Sequence, residues 1–190
     1  MILAEDKMVP RLDECFILLK KYKVPEHVIR HSQVVHGVAL SLYQALTRQG
    51  EELDQSLVEA GSLLHDISKM ESLNTGESHP QAGALLLLRL GYPEVAEIVR
   101  QHVVLDQGAP QGPITEAAVV HYADKRVKHT TIVSLPDRFR DLKERYGKSS
   151  SALAWLKDLE AKSLLLEERI FQKLPIKPES LAILCLAESR

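Results

Sequence analysis

Apolar positions along this chain recur at steps of three and four, and that spacing predicts helices. His31, Val35, Val38, Leu42 and Leu46 follow one another at steps of four, three, four and four. At about 100° per residue they share one helical face. Pro25 suits the first position of that helix and Gly50 suits its end, so one long helix is expected over 25–48. Pro10 opens a shorter helix before it, running to about Tyr22. Asp54 caps the next, which carries Leu57, Gly61, Leu64 and His65 along one side. A polar stretch over 71–78 reads as a loop. Ser78 and Gln81 have capping-box spacing, which puts His79 in the first turn of a helix. That helix is apolar over 82–90 and is expected to be buried. Pro93 opens another, with Val95, Ile98, Val99 and His102 at i, i+3, i+4 and i+7. After a Gly/Pro-rich loop over 107–113, Thr115 caps a helix in which Ala117, Val120, His121 and Asp124 repeat the pattern.

A short charged helix is expected over 136–146 and a long one over 149–172, with Leu153, Leu156, Leu159 and Leu164 as its apolar side. Pro175-Ile176-Lys177-Pro178 then breaks the chain before a last short helix. No stretch alternates long enough for a strand, and there is no internal repeat. The expected fold is therefore all-α, a single-domain helical bundle. It divides into an N-terminal helix within 1–24, a core over 25–146, and a C-terminal helical extension over 147–190 packed on that core.

Composition agrees with packed helices. The chain has 190 residues, enough to bury a core without disulfides. It is 45% hydrophobic but only 5% aromatic, so Leu, Ala and Val carry the core. Lys plus Arg number 24 against 26 Asp plus Glu, a net charge of −2 that gives no global drive toward nucleic acid or a membrane surface. Cys15 and Cys185 lie within apolar periods and read as buried thiols of a reducing cytosol. Glu5 and Asp6 stand where a signal peptide would need a basic stretch, and the longest apolar runs are too short to span a bilayer. A cytoplasmic protein is expected.

The unusual count is eight His. Six residues stand out as candidate metal ligands: His31, His65, Asp66, His79, His102 and Asp124. They lie on five predicted helices, and His31, His65, His102 and Asp124 each extend an apolar stripe. An ionisable group turned inward is costly unless it is paired or bound to metal. Singly, each reads more readily as a hydrogen-bonded core residue, Asp124 as an ion-pair partner of Lys128 at i+4, and Lys69 as a solvated lysine. Together they point to a metal site with mixed imidazole and carboxylate donors.

The set resembles the HD-domain superfamily of all-helical metal-dependent phosphohydrolases, in its compact bacterial type marked by His-Asp-Ile-Gly. Arg30-His31-Ser32-x-x-Val35 resembles the family's first-ligand helix. Leu64-His65-Asp66-Ile67-Ser68-Lys69 resembles its signature, with Ser68 where Gly is usual. His79-Pro80-x-x-Gly83-Ala84 and Ile98-Val99-Arg100-Gln101-His102 resemble the segments carrying the extra histidines of two-metal members. Val119-Val120-x-x-Ala123-Asp124-Lys125 resembles the last-ligand helix. The resemblance covers roughly 25–146. Gly91-Tyr92-Pro93 precedes His102 rather than following the later His motif, so it marks a helix start and not the cyclic-di-GMP phosphodiesterase branch. Val103 follows His102, without the second His or Glu of a third metal site.

The resemblance implies one metal held by His31, His65, Asp66 and Asp124, and a second completed by His79 and His102, with Asp66 as the bridge. Iron, manganese, cobalt, nickel or zinc suits these donors better than calcium. Asp66 and Lys69 are the implied catalytic residues. Lys69 would meet a phosphate oxygen. Lys125 and Lys128 are further candidates for substrate phosphate, while Arg138 and Arg140 read as a charged helix face. The implied function is a phosphohydrolase or phosphodiesterase acting on a small phosphorylated molecule, a nucleotide, through water activated at a binuclear site. The same ligands would also serve a di-iron oxygenase such as myo-inositol oxygenase. A non-catalytic signalling or interaction module is the third reading, and the intact ligand set weighs against it. The last helix, around Leu181-Ala182-Ile183-Leu184, is the expected contact of a homodimer or docked domain.

Overall fold

The structure is a computed structural model and describes residues 9–109 and 112–188 of the chain. The expected signal-peptide test at Glu5 and Asp6, the start of the N-terminal segment and part of the 107–113 loop lie outside the described residues. The long helix α2 (Glu26–Arg48) follows α1 (Leu12–Lys21), and Pro25 is its N-cap rather than its first residue. Its stripe faces inward as the spacing requires: His31, Val35, Val38, Leu42 and Leu46 are all buried. Helix α3 (Gln55–Leu64) starts where the Asp54 carboxylate accepts the Leu57 N–H at 3.2 Å. Helix α7 (Glu116–Lys125) starts where the Thr115 hydroxyl accepts the Ala118 N–H at 3.2 Å. From Ala117 to Lys125 α7 is buried on every side. Its small and β-branched residues let α2, α3 and other helices close around it.

Two apolar clusters form the core. One joins α1, α3, α5 (His79–Arg89) and α6 (Pro93–Gln101) through Cys15, Leu19, Leu63, Leu87, Val95 and Val99. The other joins α2 and α7 to α8 (Leu135–Tyr146), α9 (Ser150–Gln172) and α10 (Leu181–Glu188). Helices α2 and α7 contribute to both, Val28 and Val120 on one side and Leu42 and Tyr122 on the other. At the end of α7 the buried Arg126 ties this helix to α9 and to the turn at Pro178. Its guanidinium donates to Glu167 Oε2 at 3.0 Å, to the Pro178 carbonyl at 3.1 Å, to the Val133 carbonyl at 2.7 Å and to the Tyr122 hydroxyl. Among the described residues no helix is long and apolar enough to cross a membrane.

The structure departs from the sequence expectations in several further places. The stretch expected as a loop over 71–78 holds a short helix, α4 (Lys69–Thr75), closed by Gly76 at φ +74°. Seven residues are too few to show an apolar stripe, and only the left-handed glycine marks the stop. A hairpin joins β1 (Val127–Lys128) to β2 (Thr131–Ile132), with Val127 opposite Ile132 and Lys128 opposite Thr131. Two-residue strands carry no alternation to read. Helix α5 is not buried all round: Gly83, Ala84 and Leu87 face in while Leu85 and Leu88 face out. The inward residues of α9 are Leu156, Leu159, Ser163, Leu166 and Ile170, and Leu153 and Leu164 lie on its exposed side. Leucines at three successive positions, 164–166, hide which face is apolar. Ser78 precedes α5 as expected, but its hydroxyl meets the Gln81 side chain instead of the backbone. On α10, Leu181 is buried while Ile183 and Leu186 are exposed. Cys15 is buried in the first cluster and Cys185 packs half-buried against the second.

Candidate metal centre

The six candidate ligands meet where helix ends converge. His31 comes from the second turn of α2. His65 is the C-cap of α3, His102 is the C-cap of α6 and Asp124 is one residue from the end of α7. His79 is the first residue of α5. Three helix C-termini therefore point their partial negative charge at one place, which favours a cation there.

The ligand atoms fall into two groups, each within 4.8 Å: His31, His65 and Asp124, and Asp66, His79 and His102. In the first, His31 Nε2 lies 3.1 Å and His65 Nε2 3.7 Å from Asp124 Oδ1. In the second, His79 Nε2 lies 3.4 Å and His102 Nε2 3.6 Å from Asp66 Oδ1. The other oxygen of Asp66, Oδ2, lies 3.4 Å from His65 Nε2. One carboxylate thus presents an oxygen to each group.

The rings are aimed by the backbone. His31 Nδ1 donates to the His129 carbonyl at 2.8 Å, His65 Nδ1 to the Ser62 carbonyl at 2.7 Å, and His102 Nδ1 to the Val99 carbonyl at 2.7 Å. A carbonyl only accepts, so the proton of each neutral ring sits on Nδ1 and the Nε2 lone pair faces the centre. His79 Nε2 and His102 Nε2 face each other at 3.1 Å. His65 Nε2 is fully buried without a hydrogen-bond partner. Lone pairs gathered around an orphaned buried nitrogen fit a divalent cation.

Charge agrees. Burial pushes the Asp66 carboxyl up, but His65, His102 and Lys69 more than offset that and hold it well below the usual range. Asp124 is likewise held low against burial by Lys125, His31 and His65. Burial depresses His102, and burial with His102 beside it pushes His79 down to about 4. For His65 the two carboxylates outweigh burial and raise it. Two buried carboxylates thus call for positive charge beyond their lysines, from a proton on His65 or from metal.

Lys69 Nζ lies 2.6 Å from Asp66 Oδ2, and its side chain reaches a cavity of about 490 Å³ beside the site. Burial would lower its pKa, but Asp66 holds it above the ordinary value, so it stays cationic. Of the other expected phosphate contacts, Lys125 is buried and not brought to this cavity. Its ammonium bonds Asp124 Oδ2 at 2.8 Å and the His102 carbonyl at 3.0 Å. Lys128 pairs with Asp141 at 3.0 Å and is not part of the cavity wall. Arg138, read from sequence as a helix-face residue, lines the cavity; Arg140 is exposed and bonds Asp137. Sequence reasoning missed His129, whose carbonyl aims His31, and gave no role to His121, placed on the apolar stripe, whose Nδ1 donates to the His102 carbonyl at 3.0 Å. Burial, with Lys125 nearby, pushes His121 down to about 3. The 104–108 segment does not border the Lys69 cavity. It lines a second one of about 630 Å³ with His121, Leu159 and Lys162.

An all-helical bundle with clustered imidazoles and carboxylates at its centre defines a class of metal-binding protein. Residues 24–128 match the HD domain family, and the chain belongs to that family. HD-domain proteins bind divalent metals, which suggests a metal-dependent hydrolase. The chain is similar to the uncharacterized protein MJ0778 of Methanocaldococcus jannaschii, 32% identical over 141 residues that cover 67% of this chain and 82% of that protein. It is also similar to proteins named tRNA (cytidine(56)-2'-O)-methyltransferase. That of Picrophilus torridus is 28% identical over 148 residues, 75% of this chain but 41% of that protein. That of Thermoplasma volcanium is 33% identical over 98 residues, 51% of this chain but 27% of that protein. The chain thus spans less than half of either methyltransferase. No solved structure matches it.

Proposed function

We propose that this protein is a metal-dependent phosphohydrolase or phosphodiesterase acting on a small phosphorylated molecule, a nucleotide, with two divalent transition-metal ions at the His/Asp centre. The observation that carries the reading is the arrangement of Asp66, with one oxygen toward His65 and the other toward His79 and His102. His31, His65, Asp66 and Asp124 would hold one ion, and Asp66, His79 and His102 the other. Such ions supply Lewis acidity, acidifying water and offsetting phosphoryl charge.

The chain's own residues do the rest. Ser62, Val99 and His129 hold the imidazoles in the tautomer that leaves Nε2 free. Lys125 keeps Asp124 ionised and in place. Lys69, in the wall of the cavity, is positioned to donate to a phosphoryl oxygen and to stabilise charge that grows there in the transition state. The methyltransferase names attach to proteins of which this chain resembles a minor part. The His/Asp cluster suits Lewis-acid hydrolysis rather than methyl transfer. The nucleotide reading is supported by the cationic lining of the cavity, Lys69, Arg138 and Arg145.

The test is metal content per chain together with phosphate release from nucleotides by the metal-loaded protein. About two ions and hydrolysis are expected from the native chain. Asp66→Ala should lose both while its far-ultraviolet circular dichroism stays helical. Full hydrolysis by that variant would remove the site from the mechanism.

A further inference from the structure

The cavity beside Lys69 has a second positive end that the metal centre does not use. Arg138 and Arg145 of α8 line it, together with His129 and Tyr146. Both arginines converge on Asp141, Arg138 Nη1 at 3.3 Å from Oδ2 and Arg145 Nε at 3.1 Å from Oδ1, and Lys128 Nζ reaches the same carboxylate at 3.0 Å. The two arginines of the cavity wall share this one carboxylate with Lys128, which lies outside the wall, so the corner keeps a surplus of positive charge. Arg138 Nε is buried without a partner. The Arg145 guanidinium instead donates to His129 Nε2 at 2.9 Å, which holds it at the cavity wall. The family match ends at residue 128, so Arg138, Asp141 and Arg145 lie beyond it. His129 adds a mechanical link. It holds φ +55° in the hairpin turn, an uncommon conformation for a non-glycine residue. Its carbonyl fixes His31 while its ring bonds Arg145.

We infer that the Arg138–Arg145 corner is an anion subsite, and that the substrate is a nucleotide carrying a second phosphoryl group besides the one that meets Lys69 and the metal centre. Fixed guanidinium forks suit phosphate, and the surplus charge has no other acid in the cavity wall than Asp66, which the site already engages. Val28, Met70, Leu142 and Tyr146 supply the apolar and aromatic wall for a base or sugar. A cavity of about 490 Å³ falls within the range of small-ligand sites. The inference rests on the hydrolase reading for the second anion's role, but the subsite itself can be tested without turnover.

The experiment compares adenosine 5'-monophosphate, adenosine 5'-diphosphate and adenosine 3',5'-bisphosphate on the metal-loaded protein, by calorimetric binding and by kcat/KM. At least one doubly phosphorylated probe should exceed the monophosphate by about tenfold or more in both measures, as charge-assisted hydrogen bonds allow. Preference for the diphosphate would mean adjacent phosphoryl groups, and preference for the 3',5'-bisphosphate separate ones. Arg138→Gln and Arg145→Gln, singly and together, should collapse that ratio toward one, mainly through KM, and Arg145→Lys should keep part of it. Circular dichroism and metal content confirm that each variant is folded and loaded. If the native protein treats all three probes alike, or if the ratio survives in the folded double variant, the subsite does not exist. If it hydrolyses none of them yet binds a doubly phosphorylated probe in an arginine-dependent way, the subsite stands and the hydrolase reading fails.

Discussion

A single residue here does its work through the atom opposite the one that faces the centre. His31, His65 and His102 are suited to be ligands because their Nδ1 protons are already committed to carbonyls. Four of the six candidate ligands, His31, His65, His102 and Asp124, were legible in the sequence, since an imidazole or carboxylate extending an apolar stripe must find a counterpart inside; Asp66 and His79 were legible only by their motifs. The carbonyls that aim them were not, because any residue has one. Lys69 was legible only by its place three residues after Asp66. It is not among the candidate donors, so Lys69→Ala should keep the metal content of the native chain in elemental analysis while kcat falls by about 10²-fold. Loss of metal in that variant would mean that the lysine serves the ligand Asp66 instead of the substrate. His121 poses a different test. Its pKa is depressed from 6.5 to about 3 in the folded chain by burial. Between those values the unfolded chain binds the extra proton, so stability is fully present above pH 6.5 and is lost as pH falls toward 3. The slope from one such group is about 1.4 kcal/mol per pH unit. In metal-free protein, His121→Gln should lower the melting temperature at pH 7 but flatten its decline from pH 6.5 to 4. An unchanged slope would assign the acid sensitivity to His36, His79 and His102, which burial also depresses.

At the scale of elements, the site depends on how closely two helix ends approach. His65 closes α3 and His102 closes α6, with ring centroids 5.1 Å apart. That approach requires Gly61, where a Cβ would stand 2.6 Å from Ile98 Cγ2 and 3.3 Å from Ile98 Cβ. Ile98 is buried and branched next to its backbone, so it cannot swing aside. Gly61→Ala gains up to about 1 kcal/mol of helix propensity. Overpacking costs about 1–3 kcal/mol. A net loss of stability is expected, seen as a lower melting temperature. Because α3 and α6 must separate to fit the methyl group, metal should also bind more weakly in titrations. A variant with native metal affinity would show that the strain relaxes away from the helix ends. In the sequence, Gly61 reads only as one more position of an apolar stripe, since the partner that makes it necessary lies 37 positions further on.

For the whole molecule, the question is whether the family-like part stands alone. The match to the HD domain ends at residue 128, and every candidate ligand lies before that point. The core does not end there. Leu156, Leu159, Leu166, Ile170, Phe171, Leu174 and Leu181 pack into buried positions, most of them in one cluster with Val38, Leu42, Tyr122 and Phe139. At about 1.5–3 kcal/mol for each large apolar side chain, these residues together contribute on the order of 10 kcal/mol or more. That equals the whole net stability of an ordinary domain. Arg126 adds a second dependence. Without α9 and the Pro178 turn it keeps the Tyr122 hydroxyl and the Val133 carbonyl but loses the Glu167 carboxylate, its anionic partner among the described residues. A buried charge left without its counter-ion costs about 3–5 kcal/mol. A chain cut after Lys148 should therefore show no cooperative thermal transition, bind a hydrophobic dye and fail to gather metal, although it keeps all six candidate ligands. Arg126→Met in the full chain leaves the Glu167 carboxylate without its cation but keeps the apolar contacts of α9 and α10, so it should still melt cooperatively, at a lower temperature than the native chain. If the cut chain melts cooperatively within a few degrees of the full chain, α9 and α10 are an accessory to a self-sufficient core, and their apolar faces need another explanation.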